Sequence, residues 1–96
     1  MVMMKAVRMH AYGGPEVLRI ETASRPTPAR GELLVRVIAA GVNPVDWKVR
    51  AGLLRATVPL RLPWIPGGDF SGLVEDVGPS VRGVSAGDAV YGRADL

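Results

Sequence analysis

Twelve glycines and eight prolines are spread through 96 residues, and they cut the apolar pattern into runs that suit brief strands and one brief helix. Glycine tolerates the left-handed backbone that tight turns require, while proline fixes φ and removes a ladder donor, so each cluster ends an element. Residues 3–12 read as a strand that stops at Gly13-Gly14-Pro15, and residues 17–21 read as its returning partner in a hairpin. Residues 22–31 contain Pro26 and Pro28 and read as an exposed connection. Residues 32–41 carry the strongest strand signal, with Leu33, Val35 and Val37 on one face and Arg36 opposite. Residues 70–77 return to strand. Gly78-Pro79, Gly83 and Gly87-Asp88 then punctuate a second hairpin whose return strand is residues 89–91.

One helix start stands out. In Asn43-Pro44-Val45-Asp46, asparagine can cap, proline can take the first helical position, and the acid reaches the third position beside the positive end of the helix. Gly52 suits the left-handed position that closes such a helix. Residues 53–66 hold Pro59, Pro63 and Pro66 and resist regular assignment, although Leu60, Leu62, Trp64 and Ile65 want apolar cover; they read as a packed loop or lid. The fold class that results is mostly β: a small, partly open barrel with one short helix, a single domain over residues 1–96. The last residues follow a strand without a capping element, so the barrel is expected to be incomplete at its C-terminal end. Its edge then needs another segment or another chain, and a homo-oligomer is one way to supply it.

Composition removes several functions. Apolar residues make up 48% and charged residues 22% of the chain, a globular balance rather than a disordered one. Without cysteine there is no disulfide framework, thiolate metal site or cysteine nucleophile. No apolar run approaches the roughly 20 residues that cross a bilayer. Lys5 and Arg8 stand where a signal peptide needs its apolar stretch, so neither membrane insertion nor export is expected and the location is read as cytoplasmic. Residues 1–61 hold ten Lys/Arg against four acids, whereas residues 62–96 hold two against five. The cations are scattered and lack interleaved aromatics or a helix-turn-helix pattern, so nucleic acid is not an expected partner.

Catalytic candidates are few. His10 is the only histidine and has no carboxylate near it in sequence, so it reads as structural or exposed. None of Ser24, Ser71, Ser80 and Ser85 sits in a Gly-x-Ser-x-Gly elbow. No two glycines lie two positions apart, so the chain carries no dinucleotide fingerprint of its own. Two places remain: residues 41–52, a strand end turning into a helix with an amide at the junction, and residues 62–72, a proline-glycine corner feeding a strand.

These places belong to a longer ordered series. It comprises Lys5-Ala6-Val7, Gly13-Gly14-Pro15-Glu16-Val17-Leu18, Gly31-Glu32-Leu33-Leu34-Val35, residues 41–52, Pro66-Gly67-Gly68-Asp69-Phe70-Ser71-Gly72, and Gly87-Asp88-Ala89-Val90-Tyr91-Gly92. The series resembles the amino-terminal part of the medium-chain dehydrogenase/reductase superfamily, in its zinc-independent quinone oxidoreductase branch, over essentially the whole chain. The resemblance implies a GroES-like catalytic domain followed by a Rossmann domain that binds NADPH, with a quinone or enone substrate in the cleft between them. That second domain is absent from residues 1–96. A carboxy-terminal segment completes the GroES-like fold in the family.

In the zinc alcohol dehydrogenases of the superfamily, the strand-to-helix junction carries a cysteine where this chain has Asn43. The proline-glycine corner there carries histidine and glutamate where this chain has Gly68 and Asp69. One carboxylate and an amide fall short of the tetrahedral donor set that zinc takes, so no metal ligand is expected. Hydride transfer would then rest on alignment of the nicotinamide and on hydrogen-bond donors where charge develops on the acceptor. The resemblance gives Asn43 both a catalytic and a cofactor-facing role, gives Lys48 a catalytic role toward the cleft, and makes Trp47 a cofactor-side pocket wall. Read from residue type alone, Asn43 is a helix cap, Lys48 a solvated lysine and Trp47 a core residue. Asp69 reads as a turn acceptor for backbone donors, and Gly67 and Gly68 as a tight corner.

The leading reading is therefore the catalytic-domain portion of a zinc-free NAD(P)H-dependent quinone or enone oxidoreductase. Its Rossmann domain would be supplied in cis or in trans, and the isolated chain would be inactive. A stand-alone GroES-like interaction module, or one part of a split reductase, is the alternative from another class. A strand, glycine-rich turn and helix within about 50 residues downstream would favour the reductase.

Overall fold

The computed structural model describes residues 2–94. Five strands and one α-helix follow in the order β1 (Met3–Arg8), β2 (Arg19–Ser24), β3 (Leu33–Ala40), α1 (Pro44–Arg50), β4 (Asp69–Val77) and β5 (Ala89–Arg93), with a single 3-10 turn at Pro15–Val17. The mostly β class with one short helix is thus present, and neither sheet closes on itself. The described residues divide into two compact units, one of residues 2–25 and 42–67, the other of residues 26–41 and 68–94.

The first unit holds the β1–β2 hairpin and α1. Antiparallel pairing runs from Met3↔Ser24 to Arg8↔Arg19. β2 therefore extends into the stretch expected to be a connection, because β1 offers ladder partners that far. β1 stops sooner than expected, since Met9 leaves the hairpin and exchanges two backbone hydrogen bonds of 3.0 Å with Trp64. Met9 is fully buried there. Val17, expected in the return strand, lies in the 3-10 turn that Pro15 starts with its preset φ. Residues 53–66 are indeed irregular; Leu60, Leu62 and Trp64 are half-buried, whereas Leu53 and Ile65 are exposed.

A charged cluster also joins Arg8 and His10 to Glu21, thirteen and eleven residues further along the chain. Glu21 Oε1 accepts from Arg8 Nε at 2.7 Å and lies 2.5 Å from His10 Nε2. The histidine that lacked a neighbouring carboxylate in sequence thus gains one from the opposing strand. The His10 hydrogen bond, helped by Arg8 and opposed by desolvation, holds the Glu21 carboxyl below its ordinary value of 4.5. A carboxyl with a depressed folded pKa binds its proton more readily unfolded, so its contribution is complete above pH 4.5 and is lost as pH falls through the folded value. Urea midpoints measured from pH 6 downward are expected to drop in that acid window, and Glu21→Gln is expected to flatten the drop. An acid limb unchanged in the variant would remove Glu21 as its source.

The second unit is the antiparallel sheet β3-β4-β5 with β4 central. Register shifts at Leu34/Val35 and Val37/Ala39 break the expected alternation in β3. Leu33 and Val35 are half-buried, but Val37 is 55% exposed, so the three do not share one covered face. Val74 of β4 is the buried apolar anchor of this unit.

Candidate functional site

The strand-to-helix junction forms as its residue order dictates. Asn43 holds extended backbone with φ of −124° and ψ of 157°, Pro44 opens α1, and Asn43 and Asp46 form a capping box. The Asn43 N–H donates to Asp46 Oδ2 at 2.8 Å, and the Asp46 N–H donates to the Asn43 carbonyl oxygen at 2.9 Å. These bonds satisfy helix-end donors and put an acid at the positive end of the helix. At the other end Gly52 takes φ of +85° against the Tyr12 ring, and the Leu53 N–H returns to the Lys48 carbonyl at 3.1 Å. The Arg50 side chain donates to the Gly13 carbonyl at 3.2 Å, and the Gly13 N–H donates to the Arg50 carbonyl at 3.0 Å. A helix of 7 residues is too short to persist alone, and these ties fix it in its unit.

Asn43, Trp47 and Lys48 therefore stand on one anchored element. The structure ties Asn43 to Asp46 and brings Lys48 Nζ to 5.9 Å from the centroid of the Trp47 ring. Such a cation–π contact at an exposed site contributes about 0.5–1 kcal/mol. Trp47 departs from its reading as core: it is 47% exposed, and Val49 is the buried residue of α1. The reason is helical spacing, because two residues along the helix turn the side chain to the opposite face. About half of the Trp47 residue surface is left accessible, beside the Lys48 ammonium.

The proline-glycine corner is divided in sequence, with Gly67 the last corner residue of the first unit and Gly68 and Asp69 in the second. Gly67 takes φ of +96°, and Gly68 is buried with the Arg93 guanidinium against the place a Cβ would occupy. Asp69 opens β4 opposite Arg93 of β5, and Arg93 Nη1 donates to Asp69 Oδ1 at 2.9 Å. Asp69, read from sequence as a turn acceptor, thus opens a strand and forms an ion pair, a role its sequence neighbours do not signal. The Gly41 N–H donates to the Asp69 carbonyl at 2.9 Å. Both members of the ion pair are exposed, so its contribution to stability is small.

Among the described residues, no three of His, Cys, Asp and Glu come together in a set that could hold a metal ion. No helix among them is long and apolar enough to cross a membrane.

Residues 29–95 match the alcohol dehydrogenase GroES-like domain. The quinone oxidoreductase of Lama guanicoe is 41% identical over 90 residues, which is 93% of this chain and 27% of that protein. The Escherichia coli quinone oxidoreductase complexed with NADPH superposes with a TM-score of 0.83 at 35% identity, covering 92% of this chain and 26% of that one. A cobalt- and zinc-bound alcohol dehydrogenase from Pyrobaculum aerophilum superposes with a TM-score of 0.84 at 44% identity, covering 94% of this chain and 26% of that one. The chain spans about a quarter of the length of these relatives. With the domain match extending over most of its length, the chain belongs to the GroES-like domain family of the medium-chain dehydrogenase/reductase superfamily.

Proposed function

We propose that this chain is the catalytic-domain portion of a zinc-free, NADPH-dependent quinone or enone oxidoreductase of the cytoplasm, with a Rossmann domain supplied by further sequence. The observation that carries this reading is the anchored junction on Asn43. An amide stands there at the head of a fixed helix, in a chain without cysteine whose relatives carry the name quinone oxidoreductase. NADPH, which the E. coli relative holds, would supply a hydride to the acceptor, and a proton from solvent would complete the hydroquinone or saturated ketone.

This chain's residues do the positioning. Asn43 donates its amide N–H to the acceptor oxygen as negative charge develops there, which strengthens a hydrogen bond in the transition state more than in the ground state. Capping draws on the amide oxygen and donation on the NH2 group, so one side chain can serve both. Trp47, half-exposed on α1, is the wall against the nicotinamide in this reading, and Lys48, held over its ring, places a cation beside the acceptor. The donor set argues against a catalytic metal despite the metal-bound relative: the one histidine is engaged with Glu21, and Asn43 is a poor zinc ligand.

The test compares residues 1–96 alone with the polypeptide read through its downstream frame. The short chain is expected to oxidise no NADPH, because it lacks a phosphate-binding glycine turn. The longer one is expected to reduce a naphthoquinone at a rate that a strong zinc chelator leaves unchanged. NADPH oxidation by residues 1–96, or inactivation of the longer polypeptide by the chelator, would refute the proposal.

A further inference from the structure

The lopsided charge of the sequence follows the structural division. The unit that carries α1 holds eight Lys/Arg against Glu16, Glu21 and Asp46, a surplus of five. The described part of the other unit holds four Lys/Arg against Glu32, Asp69, Glu75, Asp76 and Asp88, a deficit of one. Within the first unit the excess is concentrated after the proposed site: no acid occurs between Asp46 and Asp69, while Lys48, Arg50, Arg55 and Arg61 all fall in that interval. Arg50 is committed to the Gly13 carbonyl. Lys48, Arg55 and Arg61 are exposed, and among the described residues none of the three forms an ion pair.

Exposed cations without ion-pair partners, carried by the same compact unit as the proposed site, raise the local concentration of anions and their association rate, by tenfold or more when screening is weak. Exposed apolar side chains accompany these cations: Trp47, whose ring lies under Lys48, and Leu53, which stands between Lys48 and Arg55 in sequence. An apolar ring system with an acidic substituent matches both features. We propose that the acceptor reduced at this site is an anion, a quinone or enone bearing a carboxylate, sulfonate or phosphate group, drawn in by Lys48, Arg55 and Arg61. The inference rests on the reductase reading and adds the substrate class to it. Arg55 and Arg61 act as specificity determinants and touch no reacting atom.

The experiment measures kcat/KM at saturating NADPH for a neutral naphthoquinone and for its sulfonated counterpart, using the longer polypeptide. Saturation removes the cofactor's own charge from the comparison. Because the sulfonate changes intrinsic reactivity, the readout is how the ratio of the two values moves, not its absolute size. The ratio is expected to fall about tenfold between 0.01 M and 1 M ionic strength, as the screening length contracts from about 30 Å to about 3 Å. It is also expected to fall severalfold at low salt in the Arg55→Gln/Arg61→Gln variant, with the neutral acceptor unaffected. Reduction of both acceptors with a ratio indifferent to salt and to the double substitution overturns this inference and leaves the reductase reading standing. Reduction of neither overturns both.

Discussion

Replacing Asn43 with alanine is expected to lower kcat/KM of the longer polypeptide about 100-fold, the loss that follows removal of one donor to a developing oxyanion. The same substitution removes a helix cap, which costs about 1 kcal/mol of stability. Two further variants separate these effects. Aspartate caps as well as asparagine and keeps an oxygen at the junction, but it lacks the NH2 group and sets a negative charge where charge is to develop. Asn43→Asp is therefore expected to melt close to the unsubstituted protein and to lose at least as much activity as alanine does. Serine also caps, and its hydroxyl can donate, so Asn43→Ser should keep stability and recover part of the rate. The loss should appear in kcat rather than KM alone, because the bond strengthens only as the acceptor is reduced. If Asn43→Asp retains activity, Asn43 is a cap and nothing more, and the catalytic part of the proposal fails.

What could be read from residue order divides along sequence distance. The Asn43-Pro44-Asp46 junction was legible because a capping box joins residues three apart, and Gly52 was legible because one positive-φ position ends the helix. The strands were legible where turn residues bounded them. Contacts that depend on pairing register were not. His10 meets Glu21 eleven residues away and Arg93 meets Asp69 across twenty-four. Nothing in the intervening residues signals which side chains will face each other until the strands are paired. The same cause hid the early end of β1, since Trp64 draws Met9 out of the hairpin from more than fifty residues downstream. Trp47 was misread as core because size and apolarity argue for burial, whereas its position relative to Val49 on α1 decides its exposure. The roles of Asn43, Trp47 and Lys48 in chemistry were suggested by family resemblance and not by spacing.

The glycines of the three-stranded sheet supply the largest expected effect on stability. Gly72 lies in central β4, paired with Val37 of β3 on one side and Val90 of β5 on the other. A Cβ there would run into the Arg36 carbonyl oxygen and lie 3.0 Å from Val35 Cγ1. The obstacle is backbone, next to a register shift in β3, and it can yield only if the strands separate. Two terms oppose each other in Gly72→Ala. Restricting the unfolded chain favours alanine by about 0.5–1 kcal/mol, while forcing volume into a closed contact costs about 1–3 kcal/mol or more. With carbonyl oxygen as the obstruction, the upper part of that range applies, and a net loss of about 2 kcal/mol is expected, on the order of 10 °C in Tm for a domain of this size. Gly92 of β5 is the matched comparison. Its Cβ would meet the Phe70 ring at 3.6 Å, an ordinary contact, so Gly92→Ala keeps the entropic gain without the clash and should hold Tm level or raise it slightly. Gly72→Val should exceed alanine, because a branched side chain cannot turn away from both Arg36 and Val35. Equal melting temperatures for Gly72→Ala and Gly92→Ala would mean that the β3–β4 pair opens easily at this point, and that close backbone approach is not why glycine stands there.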